Sequence, residues 1–294
     1  MKPAPFKYFA PPTVDEALHL LGEYGYEAKA LAGGQSLIPT MNFRLAQPAV
    51  LVDLNPLTDL NYIRPTGDGG LRIGAMTRQR QLERDPLIAE RAPLLHETMP
   101  HIAHPQIRNR GTYGGTLAHA DPAAELPAVS VALRARMKIR NREGERWVPA
   151  EDFFVALFTT ALEPEDLLVE IALPPLPPRT GTAFAEVARR HGDYALAGVA
   201  AVVTRNEDDT CADARLVFLS VGDGPVMAHQ AAAALRGQPL TPEAIRAAAH
   251  TAATADIEPG SDIHASADFR RHLAEVLARR TLQTAAQRAK GGNA

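Results

Sequence analysis

The chain has a single cysteine, Cys211, among its 294 residues. An internal disulfide is therefore excluded, and an iron-sulfur cluster, which takes about four thiolates, has no ligand set here. If electrons pass through clusters, another chain holds them. An excess of positive charge is also missing. The 31 Lys and Arg stand against 34 Asp and Glu, a formal charge of -3, so no surplus of cations exists to neutralise a nucleic-acid backbone. Long apolar runs are absent. The longest without a charge, Tyr194 to Val203, is about half a membrane span. Prolines break the stretch from Met1 to Pro12, which makes no secretory signal. A cytoplasmic protein without a membrane span is expected. What is present is ordinary for a globular protein: 46% hydrophobic and 22% charged residues, with a length that suggests two compact units.

Thr13, three residues before Glu16, makes a capping box, and Val14, Ala17, Leu18 and Leu21 recur at helical spacing until Gly22 and Gly25 end the segment. Short strands are predicted at Lys29 to Ala32, Val50 to Leu54, Leu71 to Ala75 and Asp166 to Leu173. The last runs into Pro174-Pro175-Leu176-Pro177-Pro178, too poor in backbone donors for a helix or a central strand, and marks a domain boundary. Beyond it, Thr182 to Arg190, Leu196 to Thr204 and Ala214 to Val221 read as strands, with a helix as the alternative for the alanine-rich second. Thr241 before Pro242 and Glu243 signals a helix start. Strands followed by helices are thus expected in the tail.

Two similar loops, far apart in the chain, are the main chemical feature: Ala32-Gly33-Gly34-Gln35-Ser36-Leu37 and Thr112-Tyr113-Gly114-Gly115-Thr116. Each is a glycine pair followed within two residues by a hydroxyl. Glycine lets the backbone approach a ligand closely, so consecutive amides can point into one concavity that suits an anion. Hydrogen bonds to a charged group contribute roughly 1.5–3 kcal/mol each. Two such nests would hold a pyrophosphate without ion pairs. A glycine pair is otherwise just a tight turn, and the recurrence is what favours the nest. Neither the Walker loop nor G-x-G-x-x-G is present: Gly222-Asp223-Gly224 has Met227 where a third glycine belongs.

After the second loop comes His119-Ala120-Asp121-Pro122-Ala123-Ala124-Glu125, with His101 and His104 upstream. A His-x-Asp pair with a distant histidine matches the two-histidine, one-carboxylate face of a non-haem iron site. Solvated imidazoles and helix-start carboxylates explain the same residues more simply. No metal ligand is assigned.

The run from His104 to Glu125, HPQIRNRGTYGGTLAHADPAAE, together with Ala32 to Leu37, closely resembles the medium, FAD-binding subunit of molybdenum hydroxylases of the xanthine dehydrogenase and carbon monoxide dehydrogenase family. The resemblance continues through Pro164 to Leu168 and Ala188 to Ala195. It implies an α+β chain. Residues 1–176 would form the two-subdomain FAD-binding fold of the p-cresol methylhydroxylase and vanillyl-alcohol oxidase type, with subdomains at about 1–57 and 58–176. Residues 179–288 would form a smaller C-terminal domain of antiparallel sheet and helices. Carried over by position, Ala32, Gly33, Gly34, Gln35, Ser36 and Leu37, with Thr112, Tyr113, Gly114, Gly115 and Thr116, would cradle the FAD pyrophosphate. Ile102 would pack near the flavin, Glu125 would bond ribityl or ribose hydroxyls, and Leu168 would make an apolar contact. Lys29 flanks the first loop. Asp193 and Tyr194 would form the turn at the isoalloxazine ring, the tyrosine covering one face.

Three departures from the family pattern stand out. Relatives often carry a lysine shortly before the arginine pair, where this chain has Ala185 and Glu186, so no lysine contact to the flavin is expected. Tyr113 replaces the more usual isoleucine and Thr116 a serine or asparagine, both tolerable in a loop that acts mainly through backbone donors. Gln35 stands where covalent-flavin oxidases of the wider fold can carry an attachment histidine. An amide is no nucleophile, so the FAD is expected to be dissociable. The resemblance further implies a molybdenum-binding large subunit and an iron-sulfur small subunit, in a dimer of heterotrimers, with molybdenum cofactor and clusters on those partners only. Electrons would leave for an acceptor such as NAD or a quinone. No residue is assigned as catalytic. A self-contained flavin-dependent oxidoreductase on the same fold is the alternative.

Overall fold

The computed structural model describes residues 1–291. It is built on three main sheets. The first is parallel and three-stranded, with Val50–Asp53 between Lys7–Phe9 and Ala28–Leu31. The helix Val14–Tyr24 carries the chain from one edge strand, Lys7–Phe9, across to the other, Ala28–Leu31, burying Ala17, Leu18 and Leu21 against the sheet. Thr13 Oγ1 accepts from the Glu16 amide at 3.2 Å to start that helix. Gly22 does not end it: the helix runs on to Tyr24, and Gly25, at φ 47°, makes the stop.

The second sheet is antiparallel, in the order Ile63–Pro65, Leu71–Gly74, Leu167–Leu173, Arg136–Arg140, Glu145–Pro149. Its central strand serves two cores. Leu168, Ile171 and Leu173 face the main core, whereas Leu167 and Val169 meet the first sheet's core, a change of side set by the register shift between Leu168 and Glu170. The proline-rich segment Pro174 to Pro178 then leads to the third sheet, an antiparallel meander of Thr180–Ala188, Ala195–Arg205, Cys211–Leu219 and Val226–Met227.

That meander resolves the helix-or-strand ambiguity at Leu196 to Thr204 in favour of strand. Ala197, Val199, Ala201 and Val203 pack under the long helix Ala267–Gly291, while Ala200 and Val202 turn to the main core. With both faces covered, the strand has no polar side to reveal its period. Thr241 caps the helix Pro242–Thr251 by accepting from the Ala244 amide at 3.2 Å. Cys211 is wholly buried beside these helices, and burial pushes its thiol up to about 11, so it is a packing residue. Among the described residues no helix is long and apolar enough to cross a membrane.

Candidate functional site

The first glycine loop follows the strand Ala28–Leu31 and ends in the short helix Leu37–Asn42. Gly34 sits at φ 73°, which turns the chain there. Among the described residues, the amides of Gly33, Gly34, Gln35, Ser36 and Leu37 have no hydrogen-bond partner. A half-buried row of unpaired donors is rare in a folded protein and marks a place for an acceptor. Gly33, Gly34 and Gln35 of this row border a cavity of about 350 Å³ that Asp53, Asn55 and Arg110 also line. Gln35 does not reach outward: its Nε2 donates to the Gly33 carbonyl at 3.0 Å.

The second loop meets the first. A Cβ on Gly33 would lie 2.5 Å from the Arg110 carbonyl and 2.8 Å from Gly111 Cα, and one on Gly115 would lie 3.1 Å from Ala32 Cβ. Asn55 and Arg78 fasten the junction. Asn55 Nδ2 donates to the Ala32 carbonyl at 3.0 Å and its Oδ1 accepts from Arg78 at 2.6 Å, while Arg78 also donates to the Arg110 carbonyl. Neither residue, nor Arg110 or Asp53, was identified from the sequence.

The expectation that the second loop offers free backbone donors is corrected. Thr112 caps and Tyr113 to Thr116 form the first turn of the helix Tyr113–His119, and the amides of Tyr113 to Thr116 are occupied. Tyr113 donates to the Thr77 carbonyl at 2.9 Å, Gly114 to the Ala75 carbonyl at 2.8 Å, Gly115 to Thr112 Oγ1 at 3.0 Å and Thr116 to the Thr112 carbonyl at 3.2 Å. Thr116 Oγ1 accepts from Gln79 Nε2 at 3.0 Å. Tyr113 is wholly buried, its hydroxyl 2.9 Å from Ser130 Oγ. Here glycine serves closeness, because a Cβ on Gly114 would fall 2.5 Å from Ala75 Cβ.

The helix Tyr113–His119 spans about 10 Å and leads to the remaining predicted residues. Past Ala120, at φ 51°, the chain reaches Asp121 and then Glu125, the buried first residue of the helix Glu125–Ala132. Burial, reinforced by the Glu186 charge, pushes Glu125 up to about 8. Tyr194, 65% exposed, lies within the fields of Asp121 and Glu125; burial of its hydroxyl and then those charges raise it. Asp193 pairs with Arg189 at 3.0 Å. Its partial burial works upward, but the Tyr194 amide and the arginines outweigh it and hold the carboxyl below its usual range. This turn packs on the segment before the second loop: a Cβ on Gly192 would meet the His104 ring and lie 2.9 Å from the Ala103 carbonyl.

Ile102 is buried, its carbonyl held by Arg108 Nη1 at 2.7 Å, and Arg108 in turn grips Glu83 at 2.9 and 3.1 Å. Leu168 is buried in the main core. Lys29 is exposed and makes no ion pair among the described residues. The histidines of the iron reading scatter. His119 lies tilted beside Phe158, His104 stacks near His191, and His101 lies 3.6 Å from Glu186. Among the described residues no group of three or more such side chains is gathered for a metal.

Comparison with known proteins agrees with this geometry. The family described as FAD binding domain in molybdopterin dehydrogenase matches residues 4–176, and the CO dehydrogenase flavoprotein C-terminal domain matches residues 182–285. The chain is 43% identical over 290 residues to the 6-hydroxypseudooxynicotine dehydrogenase complex subunit alpha of Paenarthrobacter nicotinovorans, covering 99% of this chain and 97% of that one. It is 40% identical to the carbon monoxide dehydrogenase medium chain of Hydrogenophaga pseudoflava, covering 97% and 98%. The solved structure of carbon monoxide dehydrogenase from Hydrogenophaga pseudoflava superposes with a TM-score of 0.94 at 42% identity, over 98% of this chain and 99% of that one.

Proposed function

The chain belongs to the FAD-binding medium subunits of the molybdenum hydroxylases, and from that premise we propose that it is the electron-transfer flavoprotein of a three-subunit enzyme of the cytoplasm. A molybdenum-binding large subunit would oxidise the substrate, and a small subunit would carry the iron-sulfur clusters that this chain, with one cysteine, has no means to ligate. A dimer of such heterotrimers, delivering electrons to NAD or a quinone, is the full reading. When bound, FAD accepts electrons singly or in pairs and so links one-electron clusters to a two-electron acceptor.

The observation that carries the proposal is the row of unpartnered amides from Gly33 to Leu37 beside a cavity. These donors fit a pyrophosphate, with Arg110 adding positive charge at the rim and Thr112 to Thr116 setting the loop's position from behind. Residues 1–176 would hold the cofactor and residues 179–288 would close over its far end. Ile102 and Leu168 would contribute apolar packing, Glu125 would bond ribityl or ribose hydroxyls, and Asp193 would orient Tyr194 over the ring to exclude water. Lys29 would flank the site without touching it.

The test is purification of the chain alone and with its two partner chains. Alone, it should carry FAD that acid precipitation releases into solution and that substrate leaves oxidised. With the iron-sulfur and molybdenum partners present, substrate should bleach the flavin absorbance. A colourless chain that takes up no FAD defeats the proposal, and substrate turnover by the isolated chain would favour a self-contained flavoenzyme instead.

A further inference from the structure

The strand Ala28–Leu31, the first glycine loop, the helix Leu37–Asn42 and the strand Val50–Asp53 follow one another in the chain, and the two strands run parallel with Leu31 opposite Asp53. Both strands therefore end at the same edge of their sheet. Ligands of open parallel sheets bind outside the carboxyl ends of the strands, and in dinucleotide sites an acid about 20 residues past the glycine turn accepts a ribose hydroxyl. The glycine spacing of those sites is missing here, but Asp53 stands where their acid would. Asp53 is 9% exposed and lines the cavity that Gly33, Gly34 and Gln35 border. Its donors within the protein are all neutral. The Tyr8 hydroxyl donates to Oδ2 at 2.5 Å, and the Asn55 amide and Nδ2 donate to Oδ1 at 2.9 and 2.5 Å. A carboxylate has about four acceptor sites, so Oδ1 is filled and Oδ2 keeps one open. The cavity wall thus carries free amides and Arg110 for an anion and, beside them, one acceptor for a ligand's donor.

We infer that Asp53 is the specificity residue for the adenosine half of the dinucleotide: its Oδ2 accepts a ribose hydroxyl while the adjoining loop takes the phosphates. This rests on FAD binding as read above. A carboxylate in the wall of an anion site weakens anion binding by its own charge, and only a ligand that brings a donor next to its phosphates offsets that effect. A nucleotide ribose does so. A hydroxyl donating to a charged acceptor makes one of the stronger hydrogen bonds. A phosphate ester at that hydroxyl removes the donor and sets like charges together, so the site rejects it. Tyr8 and Asn55, bonded to three of the acceptor sites, hold the carboxylate in one orientation before the ligand arrives, and little side-chain freedom is lost on binding.

The test uses the full chain freed of FAD. Flavin fluorescence gives dissociation constants for FAD and for analogues whose adenosine ribose is deoxygenated or phosphorylated at the 2′ or the 3′ position. In the wild type, deoxygenation at one of the two positions should weaken binding about tenfold, the loss of one hydrogen bond to a charged group, and phosphorylation at that position should weaken it further. Asp53→Asn should narrow the deoxy difference to about threefold or less and bring the phosphorylated analogue at least about tenfold closer to FAD, because the like charge is gone. Tyr8→Phe, at a residue 54% exposed, leaves the carboxylate and frees Oδ2. It should widen the deoxy difference, and it decides the matter if Asp53→Asn does not fold. A wild type indifferent to both hydroxyls overturns the assignment and leaves the FAD reading standing. So does an Asp53→Asn or Tyr8→Phe chain that weakens FAD and every analogue by one common factor, the mark of a carboxylate that only supports the loop. If the wild type binds neither FAD nor any analogue, this assignment and the functional reading fall together.

Discussion

The two glycine loops are nearly the same in letters and opposite in use. In Gly33-Gly34 the backbone passes close to Arg110 at Gly33, turns through a positive φ at Gly34 and leaves both amides without partners, whereas in Gly114-Gly115 the amides are all engaged and the missing Cβ atoms let a helix start against Ala75 and Ala32. On the proposed reading, one loop would receive an anion and the other would be the wall that holds it in place. The lesson is that glycine in a binding motif has two separable physical roles, conformational freedom and close approach, and only the first exposes donors.

The largest test of this contrast changes one glycine in each loop, adding a negative charge to the first and only a methyl to the second. Gly33→Asp should abolish FAD retention on gel filtration, because its Cβ would meet the Arg110 carbonyl at 2.5 Å and its carboxylate would bring negative charge beside a row of donors suited to an anion. Raising salt should restore a little of the binding, since part of the loss is screenable. Gly115→Ala, which adds only a methyl 3.1 Å from Ala32 Cβ and 2.7 Å from Thr112 Oγ1, should weaken FAD about tenfold, roughly 1.4 kcal/mol, with no dependence on salt. Equal, salt-sensitive losses in both would mean that the second loop is a donor nest after all.

A middle-sized effect separates freedom from closeness. Gly114→Ala forces a Cβ to 2.5 Å from Ala75 Cβ and 2.8 Å from its carbonyl, so overpacking of about 1–3 kcal/mol should appear as a lower Tm. FAD affinity of the folded fraction should change little. Gly34→Ala, at φ 73° with 3.2 Å to Ile38 Cγ1, costs about 1–2 kcal/mol in backbone strain. Relaxing that strain would rotate the free amides, so here the FAD dissociation constant should rise more than the Tm falls. Thermal melts with and without FAD distinguish the two patterns.

The sequence announces the turn of the first loop but not the helix that starts in the second, for a physical reason. A glycine pair followed by a hydroxyl signals a turn, and nothing in Thr112-Tyr113-Gly114-Gly115-Thr116 announces that the helix Tyr113–His119 begins inside it. Strands were easier. The expected Val50 to Leu54, Leu71 to Ala75 and Asp166 to Leu173 are observed as Val50–Asp53, Leu71–Gly74 and Leu167–Leu173, because short β-branched or leucine-rich runs between turns have few other solutions. The hairpin Arg136–Arg140 and Glu145–Pro149 went unread although Met137 and Ile139 alternate with charges, the signature of a strand with one wet face. Asn55, Arg78 and Arg110 could not be found by motif, since they act only where distant segments meet. Glu186 was noticed as a missing lysine. That its Oε2 is buried without a hydrogen-bond partner is a fact of packing alone.

The smallest predicted effect concerns the hydroxyls that each loop carries at the start of its helix. Thr112 Oγ1 accepts from the Gly115 amide at 3.0 Å, and Thr112 is almost wholly buried. Ser36 occupies the corresponding place before Leu37–Asn42, yet its side chain makes no capping bond; only its carbonyl is used, by Thr40 Oγ1 at 2.8 Å. Thr112→Ala should therefore cost about 1 kcal/mol of stability, with Thr112→Ser recovering most of it. Ser36→Ala should fall within about 0.5 kcal/mol of wild type without cofactor and show its loss only as a weaker FAD-induced rise in Tm. If Ser36→Ala instead lowers the Tm of the FAD-free chain as much as Thr112→Ala does, the first loop's hydroxyl is a helix cap like the second's, and the division between receptor and wall fails at that position.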